Sequence, residues 1–386
     1  MGSLAITNIG ALVSGDLKRP LLAADTVLVR DGKIAAIGDR SILSGVQADK
    51  TVDAQGITLI PGLIDSHVHP VLGDFSPRQK TLDFIDSSLH GGVTSMISAG
   101  EPHLPGRPKD PLGVKALAIL AALSFKNARP GGVKVHGGAL ILEPGLKEED
   151  FAELKEAGVW LVGEVGLGGV RKPEDAGPMV AWAHKYGFKV VMHTGGTSIP
   201  GSSTVTAEDV IAIKPDVVSH INGGTTAVAP GEIEKIVEST DFAIEIVQCG
   251  NPKAALRAAA ILSARNQLER LILGNDAPSG TGIIPLGMLR NLAFLASVGG
   301  LEPAQVIAAG SGNTARVFGL PTGIVEIGRE ADLVLLDAPM GSFGKDALDA
   351  LAVGDIPGVA MVIIDGEIKT GISRNTPPPT KKPVLK

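Results

Sequence analysis

Residues 62–69 read GLIDSHVH, an apolar run that ends on two imidazoles. The same design recurs down the chain. Later runs cover Val93–Ala99, Val133–Leu140, Val159–Glu164, Phe188–His193, Asp216–His220, Phe242–Gln248 and Leu271–Asp276. With the first they make eight, spaced by about 30 residues, the length of one strand–helix unit. Amphipathic helical stretches lie between them, among them Glu148–Ala157, Glu174–Tyr186 and Glu232–Ser239. Strands that alternate with helices predict a parallel sheet, and eight such units predict a closed (β/α)8 TIM-like barrel of the α/β class over residues 62–318. An open doubly wound sheet is the alternative, but no Gly-x-Gly-x-x-Gly follows the first strand to support it.

Outside the barrel both ends of the chain read as β-structure. In residues 1–61 the runs Thr26–Arg30 and Lys33–Ile37 flank Asp31-Gly32, a hairpin turn signal. Residues 319–374 repeat the pattern: Ala331–Leu336 is a strand, and Ala360–Ile364 and Glu367–Thr370 flank Asp365-Gly366. Neither piece is large enough to bury a core alone. The two are expected to combine into one composite β-sandwich domain. The closing dozen residues, 375–386, read NTPPPTKKPVLK and predict a flexible tail.

Composition narrows the function. The chain has 386 residues, 44% of them hydrophobic and 20% charged, which supports a large core and excludes a disordered chain. The net charge of -6 argues against nucleic acid and anionic membranes as partners. A single cysteine, Cys249, cannot form an internal disulfide, which fits a reducing compartment. The N-terminus lacks the pattern of a signal peptide, and no apolar run approaches the ~20 residues of a membrane span. A cytoplasmic protein is therefore expected.

The chemistry lies at the strand ends. His67 and His69 close the first strand, Glu164 the fourth, His193 the fifth, His220 the sixth and Asp276 the eighth. Each follows a run that would be buried, where a charge or an imidazole is costly without compensation. A barrel brings these ends to one mouth. Four histidines and two carboxylates exceed the needs of one catalytic metal and suit two divalent ions, zinc or iron among the candidates. The expected arrangement puts His67, His69 and Asp276 on one ion and His193 and His220 on the other, with Glu164 between them. His136, inside the third strand, is a lesser candidate for the same mouth.

The PGLIDSHVHP segment, the single histidines of the fifth and sixth strands and the final strand-end Asp276 resemble the amidohydrolase superfamily. The flanking VRDGKIAAIG, GIVEIGREADLVLLD and VIIDGEIK match as well. That superfamily often carries a carboxylated lysine at the fourth strand, where this chain has Glu164. The loop segments RQKTLDFIDSSLHGGVTSMISAG, HTGGTSIPGSSTVTAEDV, KPDVVSHINGG, EIVQCGNPK and GNDAPSGTGIIPLG are similar to a cyclic-enamide branch of the superfamily. The resemblance implies a homotetramer with a two-metal centre of zinc and iron type. It also implies hydrolysis of 6-oxo-1,4,5,6-tetrahydronicotinate to 2-formylglutarate and ammonia in nicotinate degradation. The expected mechanism uses a metal-bridging hydroxide, with Asp276 as general base and then general acid. The alternative is another amidohydrolase, of adenine-deaminase, dihydroorotase or isoaspartyl-dipeptidase type.

A carboxylated small-molecule substrate needs cationic or donor-rich contacts. The candidates are Arg78, Lys80, His103 and Arg107 in the loops after the first two strands, and Thr197, Ser202 and Ser203 after the fifth.

Overall fold

The computed structural model describes residues 2–70, 84–102, 104, 106–197, 203–223, 226–278 and 284–386. Parallel strands Leu63–Val68, Val93–Ser98, Lys134–His136 with Leu140–Ile141, Leu161–Val165, Lys189–Met192, Val217–Val218, Ala243–Val247 and Leu271–Gly274 follow one another around a barrel. The last strand returns to the first: Asp276 N donates to His67 O at 3.0 Å, and His69 N donates to Ala277 O at 3.0 Å. The third strand is broken at Gly137-Gly138. A Cβ on Gly138 would stand 2.3 Å from the Ala118 carbonyl oxygen of the covering helix, and φ there is +85°. Only glycine allows that approach.

Each strand gives one apolar side chain to the barrel interior: Ile64, Ile97, Ala139, Leu161, Val191, Val217, Ala243 and Ile272 cluster together. Ala315, Phe318 and Leu320, in and after the short helix Gly312–Phe318, join this cluster and plug its floor. Helices cover the outside. Those at Pro111–Asn127, Pro173–Lys185, Pro230–Ser239, Pro252–Ala264 and Pro303–Ala309 all start on proline, whose missing N–H costs nothing in a first turn. Among the described residues no helix is long and apolar enough to cross a membrane.

The two chain ends build a sandwich. One sheet runs Val384–Leu385, Lys50–Asp53, Ser3–Thr7, Thr26–Arg30, Lys33–Gly38. The other runs Glu367–Thr370, Gly358–Ile364, Leu333–Asp337, Thr58–Pro61, Leu12–Val13, Leu21–Leu22. Leu4, Ile6, Val27 and Val52 of the first sheet pack on Leu59, Leu333, Leu335 and Ile363 of the second. Both hairpins turn at the expected places, with positive φ at Asp31, Gly32, Asp365 and Gly366.

The flexible tail expected over 375–386 is not found. Val384–Leu385 pairs antiparallel with Lys50–Asp53, and Lys381 N donates to Asp337 Oδ2 at 2.7 Å. The prolines and lysines that suggested a tail belong to an edge segment: the prolines need no ladder partners, and Lys386 Nζ finds Asp53 at 3.1 Å.

Candidate metal centre

The six strand-end residues meet at the mouth. His67 Nε2 and His69 Nε2 are 3.2 Å apart, and Asp276 Oδ1 lies 3.6 Å from the first and 3.2 Å from the second. Glu164 faces the same nitrogens, at 3.6 Å from His67 and 3.4 Å from His69. On the other side, Glu164 Oε1 lies 2.7 Å from His220 Nε2 and 3.5 Å from His193 Nδ1, and those two nitrogens are 3.2 Å apart. Glu164 is thus shared between two groups of donors, His67–His69 and His193–His220, each compact enough to hold an ion.

The tautomers show what these groups lack. His69 Nδ1 lies 2.6 Å from the Gly100 carbonyl oxygen, which can only accept, so the ring proton is there. His67 Nδ1 gives its proton to Glu245 Oε2 at 2.8 Å. Both inner Nε2 atoms then present lone pairs to each other and to two carboxylates. Such a set is repulsive until a cation enters it, and imidazole with carboxylate suits a divalent transition metal. Among the described residues no lysine or arginine is ion-paired to Glu164, Glu245 or Asp276.

The electrostatics agree. Without an ion, protons on the imidazoles take that place: burial opposes charge on Glu164, yet the charge of a protonated His67 and hydrogen bonds from His193, His220 and His67 hold its carboxyl well below the usual range. Burial likewise opposes Asp276, and the His69 hydrogen bond with the charges of His67 and His220 keeps it ionised. Glu164 and Asp276 thus stay anionic and demand positive charge. The backbone is also held in place. Asp276 and His220 have φ of +55° and +32°, a region that side-chain-bearing residues rarely adopt.

Several partners escaped the sequence reading. Asp65 accepts from Asn275 N at 2.9 Å, Asn275 Nδ2 at 2.7 Å and His67 N at 3.2 Å, clamping the first strand to the turn that carries Asp276. Burial pushes its carboxyl up to about 7. Asn222 bonds both ways to Val247, at 2.9 and 3.0 Å, and fixes the loop after His220. Glu245 is fully buried between His67 and Ser66. A lone acid inside the apolar AIEIV was its available signal. Cys249 donates to Asp276 Oδ2 at 3.5 Å.

Of the substrate candidates, Arg107, Thr197 and Ser203 fall within the described residues. Arg78, Lys80, His103 and Ser202 lie outside the described residues. Arg107 is near the mouth and lines a hollow of about 470 Å³ with Lys109, Glu143 and Arg171. Its charge is already taken by Glu143 at 2.7 Å. Thr197 and Ser203 are exposed on the loop after the fifth strand, where Thr197 bonds Thr204 Oγ1 at 3.3 Å. His136 does not reach the mouth. It stands near the start of the third strand, edge-on to Trp160, in a cavity of about 320 Å³ at the barrel floor.

Comparison with known proteins agrees with this geometry. Residues 58–369 match the amidohydrolase family. The chain is 60% identical to the enamidase of Eubacterium barkeri over 378 residues, 98% of each chain. A crystal structure of enamidase superposes with a TM-score of 0.96 at 59% identity, covering 100% of both chains. An adenine deaminase of Deinococcus deserti is 27% identical over 85% of this chain, which spans 56% of that enzyme. The chain belongs to the amidohydrolase family, hydrolases of carbon–nitrogen bonds.

Proposed function

We propose that the chain hydrolyses the amide C–N bond of a cyclic enamide that carries a carboxylate, 6-oxo-1,4,5,6-tetrahydronicotinate; the enamine released tautomerises to an imine, and a second water breaks its C–N bond, yielding 2-formylglutarate and ammonia. The observation that carries this reading is the convergence of four imidazoles and two carboxylates at the mouth of a chain so similar to enamidase. His67, His69 and Asp276 would hold one divalent ion, His193 and His220 a second, and Glu164 both. Zinc and iron are the ions proposed. Such ions supply a water acidified towards neutral pH and a Lewis acid for the carbonyl oxygen.

The chain's own residues do the rest. Asp276 is an anion at neutral pH, with one oxygen facing the histidines and the other receiving the Cys249 thiol. It can take a proton from the attacking water and return it to the ring nitrogen as the C–N bond breaks. Glu164 is a carboxylate as encoded, so rebuilding the centre needs metal and no carbon dioxide. Restored activity in bicarbonate-free buffer is the expected outcome, and a strict bicarbonate requirement would contradict the Glu164 assignment.

The substrate carboxylate needs a partner whose charge is not already taken. Arg107 is paired with Glu143; the other candidates from the sequence are Arg78, Lys80, His103, Thr197, Ser202 and Ser203. The sequence resemblance carries the further expectation of a cytoplasmic homotetramer, which light scattering tests. The deciding experiment is turnover of 6-oxo-1,4,5,6-tetrahydronicotinate under anaerobic conditions, with ammonia and aldehyde both measured. Adenine, dihydroorotate, a β-aspartyl dipeptide and the neutral lactam of the same ring complete the panel. The carboxylated enamide should lead by ~10⁴ in kcat/KM over the lactam, because a site built to pair a charge is left unpaired by the analogue. Preference for any other member of the panel overturns the assignment.

A further inference from the structure

Glu245 is a charged residue in the middle of the apolar strand Ala243–Val247, and it is completely buried. Its Oε2 accepts from His67 Nδ1 at 2.8 Å and from the backbone N–H of His220 at 3.1 Å. Its Oε1 accepts from Ser66 Oγ at 2.5 Å. His67 and His220 belong to the two different donor groups that share Glu164. One carboxylate therefore reaches both halves of the centre from behind.

We propose that Glu245 is a positioning residue that ties the two metal positions together and sets how tightly they hold their ions. The inference rests on the two-metal reading above. Two effects follow from the contacts. The bond to His67 keeps the ring proton on Nδ1 and strengthens Nε2 as a donor, as a carboxylate behind a ligating imidazole does. The bond to the His220 N–H helps hold that residue at φ +32°, which aims its ring at Glu164. Loss of the carboxylate charge should weaken the first effect while leaving the second.

Glu245→Gln isolates the charge. The amide oxygen can accept from His67 Nδ1 and His220 N. The amide nitrogen can donate to Ser66 Oγ, and Ser66 can turn its proton to the Leu273 carbonyl, already 2.8 Å away. Every buried group keeps a partner, so the variant should fold with the same metal-free melting temperature. Full-length parent and variant are stripped, reloaded with zinc alone, and compared by elemental analysis and chelator competition.

The variant should bind zinc about 10–100-fold more weakly at the same metal-free stability. Ser66→Ala, which leaves the charge and the His67 contact in place, should change affinity much less. Zinc affinity in E245Q within about threefold of the parent overturns the inference. So does a fall in metal-free melting temperature that accounts for the whole loss, because Glu245 would then be only a structural residue. A parent that takes up no metal overturns the cage and this inference together, so the two failures are told apart.

Discussion

Two clusters of acids among the described residues end differently. At the mouth, Glu164, Asp276 and Glu245 face imidazoles. At the floor, Glu330, Asp332 and Asp365 are also close enough to share an ion. There the protein supplies its own: Lys134 Nζ lies 2.5 Å from Glu330, 2.7 Å from Asp332 and 2.7 Å from Asp365. This ammonium fastens the start of the third barrel strand to the sandwich. Crowded acids alone therefore do not mark a metal site. The distinguishing sign is a set of inward lone pairs whose protons have been sent outward, as His67 and His69 do through Glu245 and Gly100.

The difference can be broken at either end. Asp276→Asn should have the largest effect. The amide can neither accept the proton of water nor return it to nitrogen, and kcat/KM should fall by at least ~10²–10⁴-fold. Turnover close to the parent's would remove Asp276 from the chemistry. Lys134→Met should act at the floor only. Three acids lose their common cation, and unfolding in denaturant should show a loss of about 3–5 kcal/mol. The metal content of the mouth should stay the same, and a drop in it would mean that the two clusters are not independent.

Smaller effects separate the two ends by pH. Glu101 follows Gly100 at the mouth, and burial pushes its carboxyl up to about 8. Between the ordinary glutamate value and about 8, the folded chain keeps a proton that the unfolded chain has lost. Stability should therefore fall as pH rises through that window. Glu101→Gln should melt higher than the parent at pH 8.5, with the two converging near pH 5. His136 at the floor has the opposite sign. Burial, with Lys134 and Arg129 adding to it, lowers its imidazole to about 4. The unfolded chain takes up the proton first, so stability should be lost as pH falls from about 6.5 towards 4. His136→Gln should flatten that slope and leave turnover at pH 7 as it was.

The barrel was legible because its strands are continuous apolar runs at even spacing, and a period repeated eight times is hard to imitate by chance. The six mouth residues were legible for the same reason, since a polar group at the end of a buried run has to be explained. What escaped was polar and interior. Asp65 and Ser66 sit inside the quoted motif itself, and Glu245 inside AIEIV, but their partners are about 180–210 positions away in the chain. No local pattern announces a bond between strand one and strand seven. His136, only a lesser candidate, stands away from the mouth for a related reason: the Gly137-Gly138 break sets the mouth further along the third strand than an unbroken run suggests. The tail was misread because proline and lysine suit an exposed sheet edge as well as a loose end.

Only Gly62 separates the sandwich strand Thr58–Pro61 from the ligand strand Leu63–Val68. A Cβ there would stand 2.1 Å from Thr94 Oγ1, so the joint is boxed in by the second barrel strand. The sandwich is thus the near end of the same rod that carries His67 and His69. Recombination between related chains would rarely succeed with a breakpoint at this position. A library that shuffles the two domains should find its active members among those that keep residues 58–94 from a single parent.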